Sequence, residues 1–169
     1  MLQRFYPDNE AESVCDIDYE DLHTKGYRGV IFDIDNTLVP HGAPADERAR
    51  VLFARLRALG YKTVLLSNNK EPRVKSFADS VGSLYVFKAG KPGRKGYTRA
   101  IQMMGTAPEE TLFVGDQLFT DVWGAKKIGI VTYLVKPIHP KEEIQIVLKR
   151  RLERIVLFFY HRKKHKREP

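Results

Sequence analysis

The stretch Gly29-Val30-Ile31-Phe32-Asp33-Ile34-Asp35-Asn36-Thr37-Leu38-Val39 constrains this chain more than any other. Val30 to Phe32 is a short apolar run rich in β-branched residues. That pattern fits a central parallel strand buried on both faces better than a helix. Asp33 and Asp35 follow just past its carboxyl end, where parallel α/β sheets bind their ligands. Side chains repeat every second residue along extended chain, so both carboxylates can lean into one cleft. One such carboxylate can attack phosphorus as a nucleophile, while the other protonates the leaving oxygen and later deprotonates water. An anionic nucleophile repels an anionic phosphate, so a divalent cation is needed between them. Mg2+ suits the role, because it takes few carboxylates and keeps waters and phosphate oxygens. The competing reading is a polar turn in which the two acids cap a loop finished by Asn36 and Thr37. The stretch by itself does not decide between the two.

Other predicted strands also end in polar residues. Thr63 to Leu66 reads as a buried strand followed by Ser67-Asn68-Asn69, and Ser67 and Asn68 are neutral donors suited to phosphate oxygens. The favoured alternative for Ser67 is an N-cap for the helix expected over Glu71–Val81, with Pro72 in its first turn. A strand near Leu84–Phe87 leads into Lys88-Ala89-Gly90-Lys91-Pro92-Gly93-Arg94-Lys95-Gly96, dense in cations and glycines. Lys91 is the preferred phosphate-facing cation, since Pro92 holds it extended. Lys88 and Lys95 are alternatives, and most such runs are plain solvated loops. A helix around Tyr97–Met104 precedes Thr111 to Val114, a buried strand closed by Gly115-Asp116. Asp116 beside the first strand would complete an oxygen-rich Mg2+ site. Asp121 either assists there or N-caps, or supplies first-turn charge to, a helix running through Lys126. Trp123 is expected to pack, and Ile130–Leu134 reads as a last strand. An amphipathic helix over Asp46–Leu59 turns Ala49, Leu52, Phe53, Leu56 and Leu59 inward and stops at Gly60. The short Pro40–Pro44 connection before it leaves no room for an inserted lid.

These alternating elements predict a three-layer α/β/α, Rossmann-like domain with a central parallel sheet and no large cap. At 169 residues the chain is one domain by size, read as a lead-in over 1–27, a core over 28–138 and a basic tail over 139–169. Its formal charge of +8 implies an anionic partner. The single cysteine, Cys15, excludes an internal disulfide, points to a reducing compartment and is expected to be a small core residue. The first residues lack an apolar core of signal-peptide type, and Ile155–Tyr160 falls far short of the ~20 residues a bilayer span needs. The expectation is a cytoplasmic protein whose peripheral contact, where it has one, is with the inner face of the membrane.

In the tail, Ile144, Val147, Leu148, Leu152, Ile155, Val156 and Phe159 recur at helical spacing. Lys141, Lys149, Arg150, Arg154 and the run Arg162-Lys163-Lys164-His165-Lys166-Arg167 supply cations. A helix lying in an anionic membrane surface fits this pattern. So does a C-terminal helix packed on the sheet with a basic end. Electrostatic RNA binding is the less favoured partner, because no nucleic-acid module accompanies the charge.

Asp33-x-Asp35-x-Thr37, then Ser67, Lys91, and Gly115-Asp116 with Asp121, resembles the four ordered motifs of the haloacid dehalogenase superfamily of phosphotransferases. Each lies at a predicted strand end, and together they span Val30 to Leu134. The wording Asp35-Asn36-Thr37-Leu38-Val39, Lys91-Pro92 and Gly115-Asp116-Gln117 is most similar to subfamily IIIA, which includes phosphatidylglycerophosphate phosphatases. The resemblance implies Asp33 as nucleophile and metal ligand. It implies Asp35 as acid/base and backbone ligand, and Thr37 as support for the loop. It makes Ser67 and Lys91 phosphate ligands, Asp116 a metal ligand, and Asp121 an auxiliary to the metal or to Lys91. It also implies an open site and an acidic phospholipid substrate, phosphatidylglycerophosphate in particular. A soluble sugar, nucleotide or nucleic-acid-end phosphate is the alternative among enzymes. A non-catalytic membrane- or RNA-binding adaptor is the alternative of another class.

Overall fold

Three central strands hold the molecule together, because each sends alternate side chains into two different apolar layers. A computed structural model of the chain describes residues 2–139 and 144–165. The predicted tail residues Lys141, Lys166 and Arg167, and the side chains of Ile144, Val147 and His165, lie outside the described set. The elements are β1 (Asn9–Ala11), α1 (Tyr19–Thr24), β2 (Gly29–Phe32), α2 (Glu47–Ala58), β3 (Lys62–Leu66) and α3 (Glu71–Val81). They continue with β4 (Leu84–Val86), α4 (Arg94–Met104), β5 (Thr111–Gly115), α5 (Trp123–Lys126), β6 (Val131–Val135) and α6 (Ile144–His165). The six strands form one sheet in the order β1-β6-β5-β2-β3-β4, and every pairing is parallel.

In β2, β3 and β5, the side chains of Val30, Phe32, Leu65, Leu112 and Val114 enter one layer with α1, α2 and α3. Ile31, Val64, Leu66 and Phe113 enter the other, with α4 and α5. Strands buried on both faces read as continuous apolar runs, which is why these three could be found in the sequence. Helix α2 starts where the Asp46 carboxylate accepts the Ala49 amide at 2.8 Å, and α3 ends at Gly82 in the left-handed conformation. Between Val39 and α2 runs a short connection with no inserted domain, as expected.

Two expectations are revised, and one of the two readings of the tail is seen. Residues 2–27 are no mere lead-in: β1 pairs with the outer edge of β6, and Tyr19 is fully buried in the core. The Asp8 carboxylate fixes that edge, accepting the Thr132 amide and hydroxyl, both at 2.9 Å, and Lys126 at 2.7 Å. Cys15 is exposed rather than a core residue. Helix α6 packs across the carboxyl ends of the strands, where Val156 and Leu157 meet Leu118, Val122 and Leu134.

Phe53 is 1% exposed and sits 5.2 Å from the Phe32 ring directly behind Asp33. Phe53→Ala is expected to cost about 3–5 kcal/mol of stability, measured by equilibrium urea unfolding.

Candidate active site

Strand order reverses at β2, with β3 and β4 added on one side and β5, β6 and β1 on the other. Ligands bind at such a switch point, beyond the carboxyl ends of the strands. The register pairs Phe32 with Val114, so Asp33 and Asp116 leave adjacent strands side by side. Asp121 joins them from the wide turn Leu118–Val122, where Gln117 donates its amide to Asp121 Oδ2 at 3.1 Å. A side chain on Gly115 would meet Asp121 Oδ2 at 2.5 Å, so this glycine lets the third acid approach. Oxygens of Asp33, Asp116 and Asp121 all lie within 4.8 Å of one another, and all three residues are buried. Asp121 does not cap α5, whose N-cap is Val122.

Lys91 closes this group. Its Nζ donates to Asp33 Oδ1 at 2.5 Å and to Asp121 Oδ1 at 2.8 Å, with its side chain only 4% exposed. Lys88 and Lys95, the other cations considered, are exposed. Burial pushes the Asp33 carboxyl up to about 6, against the pull of Lys91 and with the help of Asp121. Burial likewise drives Asp116 well above the usual carboxylate range, reinforced by the charges of Asp33 and Asp121. Burial works against the Lys91 ammonium as well, but Asp121 and Asp33 outweigh it and hold Lys91 above the ordinary lysine value. Three buried carboxylates face two cations here, Lys91 and Arg150, which leaves a deficit of positive charge. A buried set of carboxylate oxygens with that deficit fits a hard divalent cation.

The loop after β2 folds back because Asn36 takes φ +62°, a conformation that asparagine tolerates. Its amide donates to the Val39 carbonyl at 2.8 Å. The turn carries buried Thr37 beneath the acids, with its hydroxyl 3.3 Å from Asp33 Oδ2 and 3.2 Å from Asp116 Oδ1. Asp35 is held differently. Its oxygens accept Asn69 Nδ2 at 2.6 Å, Arg73 at 3.0 Å and the Gly42 amide at 2.8 Å, and it stands outside the three-acid group.

Ser67 is buried at the end of β3, and its hydroxyl accepts the Asn69 amide at 3.1 Å. The N-cap of α3 is Lys70, so Ser67 is not the cap the sequence favoured. Asn68, expected to face phosphate, spends its carboxamide on the Lys91 backbone instead. It accepts the Lys91 amide at 2.8 Å and donates to the Lys91 carbonyl at 3.2 Å.

Two residues of α6 belong to the site and escaped the sequence reading. Arg150 donates to the Asp116 carboxylate and carbonyl and to Glu153 at 3.1 Å. Glu153 accepts the Leu118 amide at 2.8 Å, fastening α6 to the turn that carries Asp121. Glu153 is the one acid within Ile144–His165, and it lies three residues from Arg150 on one helix face. That spacing was the available signal. Beside Asp116, a cavity of about 760 Å³ runs between α6 and the carboxyl ends of β1, β5 and β6. Ala11, Leu134, Val135 and Leu157 give it apolar walls, and Arg150 and Arg154 add cations.

The family described as haloacid dehalogenase-like hydrolase matches residues 42–129. A Bacillus subtilis (strain 168) protein named probable phosphatase YqeG is 36% identical over 98% of this chain and 97% of its own length. The Arabidopsis thaliana phosphatidylglycerophosphate phosphatase 1, chloroplastic/mitochondrial, is 30% identical over 87% of this chain, which spans 45% of that protein. The structure of a cobalt-bound deoxy-D-mannose-octulosonate 8-phosphate phosphatase from Haemophilus influenzae superimposes with a TM-score of 0.52 at 17% identity. It covers 64% of this chain and 68% of that one, a likeness of fold. With buried acids at the switch point of a parallel sheet, and with these relatives, the chain belongs to the haloacid dehalogenase-like hydrolases and is a phosphatase of that family.

Proposed function

We propose that the chain is a Mg2+-dependent phosphomonoester hydrolase that works through an aspartyl-phosphate on Asp33 and takes phosphatidylglycerophosphate as its substrate. The convergence of Asp33, Asp116, Asp121 and Lys91 in one buried group carries the reading. Asp33 attacks phosphorus and the ester oxygen departs, taking a proton from Asp35. Asp35 then deprotonates the water that attacks the phosphorus, which breaks the bond to Asp33 and releases inorganic phosphate. To deliver its proton, Asp35 must loosen its contacts to Asn69 and Arg73. Lys91 offsets the charge of Asp33 and of the incoming phosphate, and Ser67 and Thr37 offer hydroxyls to its oxygens. Asp33, Asp116, Asp121 and the Asp35 backbone carbonyl would hold Mg2+, which when bound supplies the positive charge that screens the carboxylates from phosphate.

The lipid substrate rests on two supports. The Arabidopsis relative is named for phosphatidylglycerophosphate. The largely apolar cavity beside Asp116 offers room for the organic part of a large ester.

The test is Mg2+-dependent phosphate release from phosphatidylglycerophosphate in mixed micelles, set against sugar phosphates, nucleotides and 5′-phosphorylated oligonucleotides. The lipid should be hydrolysed preferentially. Preference for a soluble ester would discard the lipid and keep the chemistry. Asp33→Asn should lower turnover at least about a thousandfold with an unchanged circular dichroism spectrum. Near-wild-type turnover by that variant would remove Asp33 as nucleophile.

Metal binding has its own readout. Mg2+ at roughly 100 times its Kd should stabilise the protein by about 2.7 kcal/mol in thermal unfolding, and Asp121→Asn should lose most of that gain.

A further inference from the structure

Helix α6 does not divide along its length into a packed beginning and a free end. It divides by face. Glu153 and Val156 are 4% and 5% exposed, and with Arg150, Leu157 and Tyr160 they turn toward the core. Outward stand Leu148, Leu152, Ile155, Phe158 and Phe159, exposed by 62%, 53%, 54%, 60% and 44%. Leu148, Leu152, Ile155 and Phe159 follow the i, i+4, i+7, i+11 spacing of a single helical stripe. At 3.6 residues per turn, Arg151 and Arg162 fall along one border of the stripe and Lys163 along the other. The lone acid, Glu153, is spent inward on the Leu118 amide and Arg150. The outward face is therefore apolar along its middle, cationic along both borders and free of carboxylates.

We infer that this outward face of α6 docks on the surface of a lipid bilayer that contains anionic headgroups. A leucine, isoleucine and phenylalanine stripe can bury itself at the level of the acyl boundary, while bordering Arg and Lys side chains reach back to the headgroups. The charge decides against the two other occupants. A second copy pairing through the same face would set Arg151, Arg162 and Lys163 against the other copy's cations. Nucleic acid would meet the cations but leave the five large apolar side chains in water. Among the described residues no helix is long and apolar enough to cross a membrane, so contact through this helix is with the surface. The opposite face of the same helix holds Asp116 through Arg150 and walls the cavity.

The test is co-sedimentation of the full chain with vesicles of phosphatidylcholine alone or mixed with phosphatidylglycerol. It needs no turnover, so its outcome is separate from that of the phosphatase reading. The wild type should pellet with the mixed vesicles and remain in solution with phosphatidylcholine alone. Leu152→Glu combined with Ile155→Glu should weaken binding by at least about a hundredfold. Both residues are exposed, so the variant should keep its circular dichroism spectrum and its turnover of p-nitrophenyl phosphate. Arg151→Gln and Arg162→Gln should each weaken binding to the mixed vesicles about fivefold. Equal sedimentation of wild type and the double-Glu variant would overturn the inference. So would the absence of vesicle binding, including the case of a wild-type dimer that the double-Glu variant breaks in sedimentation velocity.

Discussion

The bridge from Lys91 to both Asp33 and Asp121 is the interaction on which the rest of this site depends. Three carboxylates drawn together at the ends of two adjacent strands repel one another, and burial magnifies that repulsion. An uncompensated buried charge is strongly destabilising, so the acids persist only where cations are fixed against them. The chain fixes Lys91 by its backbone. Asn68 pairs with both its amide and its carbonyl, and Lys127 reaches the Pro92 carbonyl next to it at 2.9 Å. The Lys88 and Ala89 amides donate to the Asn69 and Ser67 carbonyls, which ties the loop after β4 to the loop after β3. The loops that build the site thus secure one another before any substrate arrives.

The charge balance remains incomplete. Asp33, Asp116 and Asp121 bring three carboxylates, and Lys91 and Arg150 bring two cations. Burial accordingly presses Asp33 and Asp116 toward protonation. A fold optimised for stability alone would replace such a group with apolar packing. Retaining such a group costs stability.

How far the sequence disclosed this depends on the distance over which each signal acts. Strands β2, β3 and β5 are buried on both faces, so each announces itself as a local apolar run. The residues that end them were located by the same signal: Asp33, Ser67 and Asp116 all lie one residue beyond a strand end. Strand β1 is three residues, Asn9-Glu10-Ala11, at a sheet edge with partial burial, and nothing in its composition marks it as extended chain. Its place is set by the Asp8 contact with Thr132, 124 residues away. Arg150 reaches Asp116 over 34 residues, and a local reading sees one cation among several. Asn68 was identified as a polar residue at a strand end, but which partner its carboxamide takes depends on the path of the loop after β4.

The tail shows where periodicity itself runs out. Ile144, Val147, Leu148, Leu152, Ile155, Val156 and Phe159 suggested one apolar stripe, and a stripe is the signature of a face turned to the core. The structure breaks the pattern inside a single turn: Val156 is buried and its neighbour Ile155 is not. What selects the inward face is polar, since the Arg150–Glu153 pair seeks the Asp116 carboxylate and the Leu118 amide. Directed hydrogen bonds to fixed partners thereby override the non-directional pull of apolar burial on the orientation of the helix. A helix oriented this way turns its polar specificity toward the buried acids and its apolar surface outward. The orientation of one face fixes that of the other.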